Sequence, residues 1–103
     1  MKSKWHPQAR ASYRQVARYI NTKFGRKARQ DFMQKVKIAE GQLGISPNIG
    51  QIDPLFANRS KTYRSIIVNG LNKIVYYVED DTIYIAAFWD TRREPKSQAE
   101  QIE

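Results

Sequence analysis

Three cations, Arg64, Lys73 and Arg92, fall close in the chain to the rings of Tyr77, Tyr84 and Phe88. Guanidinium and ammonium groups bind phosphate oxygens, and aromatic rings stack on bases. A fixed cluster of cations also stabilises the charge that develops on a phosphorane while RNA is cut. Nucleic-acid binding or phosphate chemistry is what these residue types offer. The plainer alternative is a sheet face covered by another protein chain, which the neighbouring Ile66, Val68 and Leu71 favour.

Other chemistries have little to stand on. The chain has no P-loop, GxGxxG, HExxH or nucleophile elbow. With no cysteine there is no thiol nucleophile, disulfide framework or thiolate metal site. His6, the single histidine, sits where a helix N-cap belongs and reads as structural. Glu79-Asp80-Asp81 reads as turn chemistry rather than a metal site. No cofactor or metal is expected.

The elements that must position the cations lie between Tyr63 and Arg93. Three β-rich runs (YRSIIV, LNKIVYYVE, TIYIAAFWDTRR) are separated by Asn69-Gly70 and Asp80-Asp81. Asn-Gly between apolar flanks is a strong hairpin signal, because both residues adopt positive φ readily. Two-residue loops would pair Val68 with Leu71, Ile66 with Lys73 and Arg64 with Val75. In the second hairpin they would pair Val78 with Ile83, Ile74 with Ala87 and Asn72 with Trp89. Facing residues share a side, so this register sorts the sheet into two faces. Ile67, Ile74, Tyr76, Val78, Ile83, Ile85, Ala87 and Trp89 form an expected core face. Arg64, Ile66, Val68, Leu71, Lys73, Val75, Tyr77, Tyr84, Ala86, Phe88 and Asp90, with Arg92 if the strand continues, form the other.

Upstream, Lys2 to Trp5 reads as a short edge strand. His6-Pro7 opens a helix whose Ala9, Tyr13, Val16, Ala17, Ile20 and Phe24 share a stripe. Arg10, Arg14 and Arg18 form a second stripe, and Gly25 suits the left-handed stop. A second helix is expected from about Lys27 to Leu43, burying Ala28, Phe32, Val36, Ala39 and Leu43, with Gly44 as its stop. The short link implies an antiparallel hairpin packed on the sheet's core face. Residues 44–60 read as a long irregular connection that packs down through Ile45, Ile49, Leu55 and Phe56. The expected fold class is α+β: one domain over residues 1–95 and a polar tail over 96–103.

Charge is distributed unevenly. Residues 1–38 carry eleven Lys/Arg against Asp31 alone, while the remainder is slightly acidic; the net charge is +8. A cationic N-terminal half calls for an anionic partner, a nucleic acid, nucleoprotein or acidic protein segment. No apolar run reaches the ~18 residues of a membrane span, and the N-terminus is not a signal peptide, so the cytoplasm is expected.

Taken together, the helix hairpin, Pro47, Ile49 and Gly50, then YR-x-I-x-V, IVYYVEDDTIYI and TRREP resemble the RelE/ParE superfamily of type II toxin–antitoxin toxins. The resemblance covers Trp5 to Pro95 and is best over 63–95. It implies two N-terminal helices on an antiparallel sheet, and a cytoplasmic toxin that assembles with a cognate antitoxin. RelE-like relatives cut mRNA on the ribosome, using basic residues on the open sheet face and a C-terminal Tyr or His for proton transfer. ParE-like relatives poison DNA gyrase. By position, the family's basic residues fall on Arg64, on Lys73 in place of an arginine, and on Arg92 with Arg93 adjacent. Lys73 cannot fork two oxygens as arginine does.

The tail after Trp89, DTRREPKSQAEQIE, holds no Tyr or His. Proton-transfer groups contribute about 10²–10⁴-fold to such reactions, so this departure favours the ParE-like branch. Tyr77 and Tyr84 stand on the expected site face as possible substitutes. If the chain is a nuclease, Arg64, Lys73 and Arg92 are its catalytic residues. If it is a binding toxin, those three with Tyr77, Tyr84, Arg93 and the stripe Arg10, Arg14, Arg18 are its contact residues. A non-toxic basic nucleic-acid-binding domain is the third reading. The antitoxin is expected to be an extended or helical segment, acidic enough to complement the arginine stripe.

Overall fold

A computed structural model describes residues 1–91; Arg92, Arg93 and the polar tail lie outside the described residues. Strand β1 (Lys2–Trp5) leads into helix α1 (Pro7–Phe24) and then α2 (Arg26–Ile45). A two-residue strand β2 (Gln51–Ile52) and a 3₁₀ turn (Pro54–Phe56) follow, then β3 (Arg64–Val68), β4 (Asn72–Glu79) and β5 (Thr82–Asp90). The five strands form one sheet in the order β1-β5-β4-β3-β2. All pairs are antiparallel except β1 with β5. The helical hairpin covers one face, so the α+β architecture is the one expected.

Pro7 opens α1 and Gly25, at φ 96°, separates the two helices in a conformation that suits glycine. Of the expected inward residues of α2, Phe32, Val36, Ala39 and Leu43 are buried and Ala28 is half-buried. Gly44 does not stop α2, which runs on to Ile45. A Cβ on Gly44 would lie 3.0 Å from the Met1 carbonyl oxygen. Its lack of a side chain lets the N-terminus approach, with the Met1 ammonium 3.2 Å from the Gly44 carbonyl. Phe24 is exposed rather than inward, and so are Ile45 and Ile49, which do not pack down.

Sheet register corrects the expected faces in two places. Asp80 and Asp81 both have positive φ and make the tight loop expected, with Glu79 opposite Thr82. Asn69 and Gly70 also have positive φ, but pairing resumes only at Asn72 opposite Val68. Leu71 is instead tied to the end of β5, its carbonyl accepting from both the Thr91 amide and hydroxyl at 2.9 Å. The loop is thus one residue longer, and a one-residue slip turns a whole strand over. Ile66 and Val68 face the helices, while Ile67 is 57% exposed.

The second correction is a β-bulge. Tyr76 pairs with Ile85 as expected, but Val75 pairs with Ala87, which leaves Ala86 as the extra residue on β5. Gln8 of α1 donates to the Ala86 carbonyl at 3.4 Å. Beyond the bulge the alternation inverts, so Phe88, not Trp89, joins the helix-side core. Phe88 packs edge-on to Tyr13 and Phe32, at 5.5 and 5.9 Å between ring centres. Trp89 is buried on the other side, opposite Lys73. Val78, expected in the core, is 40% exposed.

Both faces of the sheet carry apolar clusters. The helix side joins Ile74, Tyr76, Ile83, Ile85 and Phe88 to the two helices. The outer side joins Phe56, Tyr63, Val75, Tyr77, Ala86 and Ala87, with Leu55 and Tyr84 at the margin. The segment between β2 and β3 therefore folds over the outer face through Phe56 and Leu55.

Candidate functional site on the outer sheet face

Tyr77 and Tyr84 are register partners on β4 and β5. Their rings stack 5.1 Å apart at an interplanar angle of 14°. His6 reaches the same place from the junction of β1 and α1, where its amide donates to the Ile85 carbonyl at 2.9 Å. Its side chain makes no helix cap. Instead Nε2 lies 3.0 Å from the Tyr77 hydroxyl, and the ring stands edge-on to Tyr77 and Tyr84. Lys61 sets its ammonium over the Tyr77 ring at 4.9 Å, and Tyr63 meets that ring edge-on at 5.4 Å. An imidazole, a phenol and an ammonium thus converge on one aromatic platform.

Lys73 lies on this face, but its charge is already matched. Nζ is 2.8 Å from Asp53 Oδ2, in an ion pair whose side chains are 12% and 5% exposed. The other Asp53 oxygen accepts from the Leu55 amide at 3.0 Å. Lys73 also stands over the Phe56 ring at 5.7 Å. The ammonium pins the segment that covers the outer face.

Arg64 is on the opposite side of the sheet, opposite Tyr76. Its Nη1 donates to the Gly50 carbonyl at 2.8 Å. The Gly50 amide donates to the Tyr76 hydroxyl at 2.9 Å, and that hydroxyl donates to the Pro47 carbonyl at 2.8 Å. Burial pushes the Tyr76 phenol above its ordinary value, against the Gly50 amide and Arg64, which pull it down. The Pro47–Gly50 loop hangs from this network. A Cβ on Gly50 would lie 2.6 Å from the Tyr76 hydroxyl and 2.9 Å from the Ser65 carbonyl oxygen, so only glycine fits.

Of the residues singled out in sequence, Lys73, Tyr77 and Tyr84 share the outer face, and Arg64 and Phe88 do not. Arg10, Arg14 and Arg18 are exposed along α1 in the helical layer. Arg92 and Arg93 lie outside the described residues. Among the described residues no group of His, Cys, Asp or Glu is placed to hold a metal ion, and no helix is long and apolar enough to cross a membrane. His6 and Lys61 are additions. Alternation along β1, with Trp5 inward, would have pointed His6 outward; Lys61, in an irregular segment, has no such signal.

The family model described as "ParE toxin of type II toxin-antitoxin system, parDE" matches residues 3–95. The chain belongs to the ParE toxin family. It is a type II toxin of the RelE/ParE superfamily, whose partner is an antitoxin. Its fold matches a chain of the "Chromosomal ParDE TA system from P. aeruginosa" with a TM-score of 0.70. That alignment covers 87% of this chain and 95% of the other at 16% identity, a likeness of fold. No curated protein matches the chain in sequence.

Proposed function

We propose that this ParE-family toxin arrests growth in the cytoplasm by binding DNA gyrase, not by cutting RNA. The observation that carries the reading is the fate of its cations. Lys73 is neutralised by Asp53 and Arg64 is turned through the sheet to Gly50, so the two do not meet on one open face. Charge stabilisation at a developing phosphorane requires cations aimed at one point. A surface for binding a protein has no such requirement.

The antitoxin's seat in this reading is the groove between α1, α2 and β5. It holds about 650 Å³ and is lined by apolar groups including Val16, Tyr19, Ile20, Phe24, Phe32 and Leu71. Tyr19, Phe24 and Leu71 remain exposed in the lone chain, which suits an amphipathic segment that orders on binding. Expression with and without the antitoxin tests the whole. Growth arrest with gyrase-dependent DNA breaks, relieved by the antitoxin, is expected.

A second reading, ribosome-dependent mRNA cleavage, draws on the contact of His6 with Tyr77. It would supply the proton-transfer group that the C-terminal sequence lacks. Under that reading His6→Ala and Tyr77→Phe each lose cleavage by about 10²-fold or more while the fold survives.

A further inference from the structure

α1 has two unlike flanks. One borders the apolar groove just described. The other carries Arg10, Arg14 and Arg18, all exposed and four residues apart. At 1.5 Å per residue the row spans roughly 12 Å, one guanidinium per turn or so. Beside it, Gln30, Gln34 and Lys37 of α2 join Arg10, Trp5 and Tyr13 in lining a second, smaller groove.

The row makes no ion pair among the described residues: no carboxylate lies within 4.0 Å of Arg10, Arg14 or Arg18. Glu40, the acid on this side, accepts instead from the Ser3 hydroxyl and from the Trp5 indole at 3.2 Å. Asp31 lines the opposite, apolar groove. Arg10 is held in place by Trp5, its guanidinium carbon 4.8 Å from the ring centre.

We propose that the Arg10–Arg14–Arg18 row docks on the sugar–phosphate backbone of a nucleic acid. An acidic protein segment needs apolar anchors as well as charge, and the most exposed apolar side chains of α1, Tyr19 and Phe24, line the groove on its other flank. A phosphate backbone needs only a line of cations, and arginine forks match its oxygens. Two phosphate rows, each repeating every ~3.4 Å of duplex axis, present several anions along the row. The inference does not depend on whether the toxin's target is gyrase or the ribosome.

The test is direct binding of the full chain to a 30-base-pair DNA duplex of arbitrary sequence, titrated across salt concentration. A 30-nucleotide RNA runs in parallel, and polyglutamate serves as competitor. The triple variant Arg10→Gln/Arg14→Gln/Arg18→Gln is compared with Lys23→Gln/Arg26→Gln/Lys27→Gln, which removes the same charge around the turn between the helices. Circular dichroism confirms that both fold. The row variant should bind roughly a hundredfold more weakly at 0.1 M salt, with the slope of log K against log salt reduced by about 2.7. The control variant should keep most of the affinity. Preference for the RNA, lost in the same variant, keeps the site and names its source. Equal loss in both variants, no duplex or RNA binding by the native chain, or tighter binding of polyglutamate at the row would each overturn the proposal.

Discussion

Tyr76 and Gly50 form a closed fit: the Gly50 amide donates to the Tyr76 hydroxyl at 2.9 Å, where a Cβ on Gly50 would sit 2.6 Å from that oxygen. The strand at the centre of the sheet thereby holds the loop that follows α2. Tyr76→Phe leaves the Gly50 amide and the Pro47 carbonyl without that partner. The Gly50 amide is buried and its stranding costs about 1–3 kcal/mol, so a loss of stability of about that size is expected in urea unfolding. A midpoint equal to the native one would contradict the network.

The same phenol predicts a pH dependence. Its folded value is raised above the unfolded one of about 10. Its contribution is therefore complete below about pH 10 and declines as pH rises from there toward the folded value, because the unfolded chain releases the proton first. Tyr76→Phe should flatten that alkaline decline. An unchanged decline in the variant would assign it to other groups.

Gly50→Ala should destabilise by about 1–3 kcal/mol, the usual cost of overpacking. In a Tyr76→Phe background the closest clash is gone, although the Ser65 carbonyl oxygen and the ring's Cε1 still crowd the Cβ, each at 2.9 Å. The double variant should lose less than the two singles combined, by at least about 0.5 kcal/mol, as contacting sites do. Strict additivity in denaturation would argue against the contact.

Lys73 is expected to act through Asp53. Lys73→Met strands a buried carboxylate, at a cost of roughly 3–5 kcal/mol. Adding Asp53→Asn removes the charge and keeps an acceptor for the Leu55 amide. The double variant should regain much of the stability and also the growth arrest. A stable but inactive double would show that the ammonium itself is needed for toxicity.

Strand register is tested by two neighbours. Ile66→Ala, facing the helices, should cost about 2–4 kcal/mol, whereas Ile67→Ala, exposed, should stay within about 0.5 kcal/mol of native. The reverse order in thermal denaturation would restore the two-residue loop at Asn69-Gly70.

These neighbours also show what the chain made legible. Period-3.6 stripes located both helices, and the turn pairs Asn69-Gly70 and Asp80-Asp81 located both hairpins, because local backbone preference decides such features. The faces were lost where one residue matters. Leu71 is drawn to Thr91, and Ala86 bulges over a Gln8 contact, both long-range events with no local signature. Strand alternation puts Lys73, Tyr77 and Tyr84 on one sheet face, in the sequence as in the structure. The ion pair of Lys73 has no sequence signal, because Asp53 lies twenty residues away in a segment without periodicity. His6 reads as an N-cap because it precedes Pro7, although alternation from Trp5 along β1 points it outward.

The central claim is that the toxin engages gyrase. Purified toxin, gyrase, ATP and supercoiled plasmid are incubated, then treated with detergent and protease. Linear plasmid should accumulate with toxin concentration, and a ribosome-programmed mRNA under the same conditions should stay intact. Unaffected plasmid together with codon-phased cuts in the mRNA would contradict the account and move the function to His6, Tyr77 and the cations around them.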